Sequence, residues 1–86
     1  MTIEDKLLEN GCEDAAFFIG APFDDAVIGV SESGAVIYDF DLIVEGFMKY
    51  DGMSAEEASE WVEYNVIQAL PHMGEQAPII MYRLLE

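Results

Sequence analysis

Along this chain the spacing of apolar residues switches from every second position to every third or fourth. Ala26, Ile28 and Val30 alternate with their neighbours, and Val36, Tyr38 and Phe40 do the same after the polar loop SESG. A period of two places each trio on one face of a strand. Residues 26–30 and 35–40 therefore read as a β-hairpin, with Gly34 suited to a positive φ near the end of the loop. Helical spacing takes over next. Asp39 or Asp41 is placed to cap a helix running to Tyr50, in which Ile43, Val44, Phe47, Met48 and Tyr50 cover more than half the circumference. Glu45 and Lys49 form a favourable i, i+4 pair on its one clearly wet edge. A helix so apolar, over Leu42–Tyr50, is expected to be almost fully buried or to lie partly in an interface.

DGMS breaks that helix, and Ser54 with Glu57 makes a capping box for another, running to about Leu70 before Pro71. PHMGEQAP reads as a loop and IIMYRLL as a final strand. At the other end, Thr2 and Asp5 resemble a capping box. Ile3, Leu7 and Leu8 give helical spacing, and Gly11 is placed to end the helix. Ala15–Ile19 (AAFFI) reads as a short buried strand or a helical turn, and GAPFDD as a turn interrupted by Gly20 and Pro22. The pattern predicts an α+β fold. It has a small, mostly antiparallel sheet that includes the hairpin, with two or three helices packed on one face.

Length and composition limit this picture. Eighty-six residues make one domain, 1–86. With 52% apolar residues, disorder is not expected despite the charge. A domain this small has little interior for so many apolar side chains, so a homo-oligomer is a reasonable expectation. The N-terminal MTIEDKLLENG has no basic stretch leading into an apolar one, and no apolar run approaches the roughly 20 residues that span a bilayer. Cys12 is the single cysteine, which suits a reducing compartment. A cytoplasmic location is expected.

Charge changes the picture most. Eighteen acids against Lys6, Lys49 and Arg83 give a net charge of −15. Direct binding to nucleic acid or an anionic membrane is disfavoured, and basic protein surfaces are favoured. On a helical wheel Ala55, Ala58, Val62, Val66 and Ala69 form one apolar stripe. Glu56, Glu60 and Glu63 lie opposite, with Glu57 beside them. An amphipathic helix needs a wet side, and that accounts for most of the pattern. Two features go further: Tyr64 and Ile67 project into the glutamate arc, and no Lys or Arg within four positions neutralises it. Four charges over about 10 Å of axis is one per roughly 3 Å, near the 3.4 Å phosphate spacing of one DNA strand. Repulsion between exposed neighbours about 6 Å apart, about 0.7 kcal/mol before screening, is tolerable.

Catalytic and metal-binding groups are sparse. His72 is the sole histidine and has no second soft or imidazole ligand near it, so no transition-metal site is expected. Glu13 and Asp14 would raise the pKa of Cys12 and make it a poor nucleophile. Ser31, Ser33, Ser54 and Ser59 belong to no nucleophile motif. Asp24, Asp25, Asp39 and Asp41 are the best oxygen ligands for a hard divalent cation, but DFDLIVEG lacks the spacing of an EF-hand. No glycine-rich phosphate loop is present. Neither a catalytic centre, a resident metal nor a cofactor is expected.

The elements DGMSAEEA, EYNVIQALPHMG and APIIMY, about half the chain, resemble a group of short acidic, largely uncharacterised proteins of bacteria, phages and mobile elements. The resemblance implies a bacterial or phage origin and carries no catalytic residues across. The reading that best fits charge and pattern is a non-catalytic acidic interaction protein. It would occupy a basic, nucleic-acid-binding surface of a host protein, as DNA-mimic inhibitors of defence systems do. Its partner-binding residues would be Glu56, Glu57, Glu60, Glu63, Tyr64 and Ile67. The alternatives are a self-assembling structural or accessory domain whose acidity serves solubility, and a carboxylate-based cation binder.

Overall fold

The computed structural model describes residues 5, 8, 9, 11, 15–18 and 20–84. The expected N-terminal helix lies largely outside them. Asp5, Leu8 and Glu9 are helical, and the Gly11 N–H donates to the Leu8 carbonyl at 3.2 Å.

The first regular element corrects two expectations. Residues 15–18 form neither strand nor helical turn. This segment is instead held by single hydrogen bonds, from Ala16 N to Gln76 O (3.1 Å) and from Phe18 N to the Tyr38 hydroxyl (2.9 Å). Isolated bonds of this kind satisfy a buried backbone without a strand ladder. GAPFDD, expected to be a plain turn, contains a one-turn helix α1, Ala21–Asp24. Pro22 sits in its first turn, where a missing N–H costs nothing.

Strands β1 (Val27–Val30) and β2 (Val36–Asp39) form the expected antiparallel hairpin. Ser31 closes it: its N–H donates to Ala35 O and its Oγ accepts from Ala35 N, with Gly34 at φ 90° as expected. Val36 and Tyr38 share the buried face, as their alternation predicts, while Phe40 begins the next helix instead of ending the strand. The expected face of Ala26, Ile28 and Val30 is not formed. Ala26 is fully buried, but Ile28 and Val30 are exposed. The register shifts between Val27, opposite Tyr38, and Gly29, opposite Ile37. Such a bulge inserts an unpaired residue and breaks the period of two.

Helix α2, Phe40–Asp51, is capped by Asp39, whose Oδ1 accepts from Leu42 N at 3.2 Å. It is less buried than its composition suggests. Ile43, Val44, Gly46 and Phe47 face inward, and Met48 and Tyr50 stay exposed. The Glu45–Lys49 pairing is not made. Among the described residues, side-chain ion pairs within 4 Å join Arg83 to Asp39 and Asp41, and Lys49 lies 5.1 Å from the Tyr50 ring centroid.

Helix α3, Ala55–Asn65, opens with the expected capping box. Glu57 N donates to Ser54 Oγ (3.2 Å), and Ser54 N donates to Glu57 Oε1 (3.4 Å). Its core stripe is Ala58, Val62 and Val66; Ala55, at the helix start, is exposed, and Ala69 is half-buried. The helix ends before Leu70, giving way to a 3-10 segment, Ile67–His72. Pro71 bars α geometry from continuing through this segment, because it has no N–H to return to Ile67 O and its ring crowds that carbonyl; the α-helix itself ends earlier, at Asn65.

The chain returns as β3, Ile79–Met81, beside β2. The strand is shorter than IIMYRLL, and it runs parallel to β2, so the three-stranded sheet, ordered β1-β2-β3, is mixed. The long crossover through α2 and α3 permits the parallel pairing. Past β3, Tyr82 stacks on Phe40 with centroids 4.9 Å apart, and Arg83 Nε donates to Asp39 Oδ2 at 2.9 Å. The helices pack over the sheet around Val36, Tyr38, Ile43, Phe47, Val62 and Val66. The fold is α+β, as expected.

Candidate partner-docking site

Helix α3 sets the glutamates because its opposite face is committed to the core. Ala58, Val62 and Val66 are buried, so Glu56, Glu57, Glu60 and Glu63 must project outward, and all four are exposed. Among the described residues, the two basic side chains, Arg83 and Lys49, are engaged elsewhere. Arg83 binds Asp39, which raises the Arg83 pKa above its already high value, first by hydrogen bonding and then by charge. Lys49 lies by Tyr50.

The arc is not uniform. Glu57, Glu60 and Tyr64 line an open groove of about 370 Å³ together with Met53, Trp61 and Asn65. Glu56, Glu63 and Ile67 do not line it, and Ile67 is half-buried where the helix changes to 3-10 geometry. The sequence reading missed Trp61 and Asn65. Their signal was present: positions 57, 60, 61, 64 and 65 follow the i, i+3, i+4, i+7, i+8 spacing of one helix face. Trp61 passes for a core residue by type, and it does rest on Phe47, centroids 4.5 Å apart, while remaining 36% exposed. Tyr64 is 68% exposed. Phe47 meets Phe23 at 5.4 Å and Phe23 meets Tyr38 at 6.3 Å, both edge-on, so the groove wall is anchored in the aromatic core.

Glu57 has two tasks. Its Oε1 is tied to the capping box, which fixes its position on the first turn and leaves Oε2 without a hydrogen-bond partner among the described residues. The Asn65 amide Nδ2 donates to Trp61 O at 2.9 Å.

The other sequence candidates do not converge. Asp39 is 4% exposed and occupied by Leu42 N and Arg83, while Asp25 accepts the Tyr50 hydroxyl at 2.7 Å. Among the described residues, no three His, Cys, Asp or Glu side chains are grouped to hold a metal ion. A smaller groove of about 170 Å³ is lined by Asp25, Leu42, Glu45, Gly46 and Lys49. Ser31 and Ser33 bond each other in the hairpin loop, Ser54 caps α3, and His72 is exposed at the end of the 3-10 segment. Cys12 lies outside the described residues.

Fold and site together define a small α+β domain with an acidic, aromatic-edged helix face. No family model, curated protein or solved structure matches this chain. No helix among the described residues is long and apolar enough to cross a membrane.

Proposed function

We propose that this protein is a non-catalytic acidic interaction module, of bacterial, phage or mobile-element origin, acting in the cytoplasm. It occupies a basic, nucleic-acid-binding surface of a host protein in the manner of a DNA mimic. The observation that supports this is the face of α3: four glutamates, fixed outward by the buried opposite stripe, with no cation paired to them among the described residues. The charge spacing approaches that of a DNA strand, and Tyr64 adds an exposed aromatic anchor.

The test is capture of host proteins on the immobilised chain, with duplex DNA as competitor and the triple variant E56Q/E60Q/E63Q as control. Gln preserves helix propensity and removes three charges. DNA should displace the captured protein, and the variant should bind it more weakly with a shallower salt dependence. Capture that resists DNA and is unchanged in the variant would reduce the arc to a solvated helix face.

A second reading, self-assembly with acidity serving solubility, has its own observation. Ile28 and Ile79 are 48% and 43% exposed, and Ile79 pairs in register with the half-buried Ile37. Sedimentation equilibrium of the wild type and of Ile79→Thr separates the two readings. A dimer lost in that variant favours self-assembly; a monomer throughout removes it.

A further inference from the structure

The groove on α3 has a chemistry more specific than negative charge. Acceptors prevail among its polar groups, although the Trp61 indole N–H and the Tyr64 hydroxyl can donate. Glu57 and Glu60 contribute carboxylates. Asn65 can contribute its carbonyl: the Trp61 carbonyl can only accept, so the Asn65 nitrogen must face it, which leaves Oδ1 and one amide hydrogen free. Beside these groups the groove is lined by the rings of Trp61 and Tyr64 and by Met53. At about 370 Å³ the groove is at the small end of ligand pockets, which run from roughly 300 to 1,000 Å³. It has room for a side chain and no room for a folded element.

We propose that this groove receives an arginine side chain of the basic partner, its guanidinium stacked on Tyr64 and Trp61 and hydrogen-bonded to Glu57, Glu60 and Asn65. The proposal rests on the reading of α3 as a docking face for a basic protein. It adds that the face selects arginine over lysine. A guanidinium is planar, weakly hydrated and carries five N–H donors, so it can stack and donate at once. An ammonium is compact and strongly hydrated, and it gains little from an open aromatic wall. Trp61 is held in place by Phe47, Asn65 by its bond to Trp61 O and Glu57 by the capping box, so three of the five contacts are set before binding. Glu56 and Glu63, outside the groove, supply only the longer-range attraction common to both cations.

That division gives a charge-matched test. Two Gly-Ser-spaced peptides of equal length, one carrying four arginines and the other four lysines, are titrated against the full chain at low and moderate salt. Trp61 is the sole tryptophan, so its fluorescence reports occupancy directly. The arginine peptide should bind about three- to fivefold more tightly and shift the Trp61 emission, as expected for a cation–π contact at an exposed site. Tyr64→Ala and E57Q/E60Q should abolish the preference. E56Q/E63Q removes the same number of charges but should weaken both peptides alike and keep the preference. Tyr64 is largely exposed, and Gln at position 57 preserves the capping box. These variants are therefore expected to fold, which circular dichroism confirms before titration. Equal affinity of the wild type for both peptides overturns the arginine site. So does an equal effect of the two Gln pairs. If binding then still falls with salt and with loss of charge, the acidic docking face survives without the groove. If neither peptide binds at low salt, the docking face fails together with the groove.

Discussion

Gly46→Ala sets two well-calibrated effects against each other. Gly46 lies in the middle of α2, where Ala is normally the better helix former by about 1 kcal/mol. Here a Cβ would stand 2.7 Å from Pro22 Cα, 2.9 Å from Pro22 O and 3.0 Å from Pro22 Cβ. Carbon atoms pack comfortably at about 3.5–4.0 Å, so α1 would have to retreat by roughly 1 Å. Two of the three crowded atoms belong to backbone and cannot swing aside. Overpacking of this kind costs about 1–3 kcal/mol, and Phe23, buried in the core one residue on, would move with α1. Allowing for the propensity gain of about 1 kcal/mol, the variant should lose up to about 2 kcal/mol, with a Tm lower by up to roughly 15 °C for a domain of this size. Thermal and urea unfolding followed by circular dichroism measure this. Gly29→Ala, where an added Cβ meets nothing within 4 Å, is the control and should change stability little. Pro22→Ala should not rescue the variant, since the crowded backbone atoms remain. A Gly46→Ala protein more stable than wild type, showing the full propensity gain, would refute the α1–α2 approach.

Three further outcomes are expected. Tm at neutral pH should rise between low and moderate salt, because screening relieves self-repulsion at a net charge of −15; a flat profile would mean that the acids are better compensated than described. Burial pushes the pKa of the Tyr38 hydroxyl above its ordinary value of 10.0; the Phe18 N–H opposes this and the Asp24 charge adds to it. Above about pH 10 the unfolded chain releases this proton while the folded one keeps it. Stability should therefore fall with pH, by up to about 1.4 kcal/mol per unit, until the folded pKa is reached. Alkaline urea titrations should show a shallower decline in Tyr38→Phe, and an unchanged slope would assign the loss to other groups. Asp39→Asn keeps an acceptor for Leu42 N but removes the charge facing Arg83, whereas Asp39→Ala removes both. Ala should be less stable than Asn by about 1 kcal/mol in urea unfolding, the usual worth of a helix cap, and equal stabilities would deny Asp39 that role.

Local chemistry made much of this protein legible in its sequence. The Ser54–Glu57 capping box, the cap before α2, the SESG turn and the buried stripe Ala58, Val62 and Val66 each depend on residues within a few positions of one another. Short-range preferences and periodicity act over that distance, so they survive translation into structure. The outward glutamates follow from the same stripe, because a helix that buries one side must expose the other. What failed in the reading depends on distant partners. The bulge at Ile28 is defined by what β2 offers opposite it, and it sends Ile28 out while Ala26 stays in. The direction of β3 depends on how residues 40–78 cross the sheet, which no local pattern encodes. Arg83 reaches Asp39 over 44 positions, and it ties the last described residues to the start of α2 with a cation that is thereby withheld from the acidic face. Trp61 shows the division most clearly. Its spacing placed it beside Glu57 and Tyr64, but only Phe47, arriving from α2, decides that one side of the indole is packed and the rest is open to the groove. Sequence by itself determined which side of α3 is charged. Tertiary packing decided which part of that side forms a groove, because Phe47 of α2 holds the Trp61 ring that lines it, and that approach is set by the shared core.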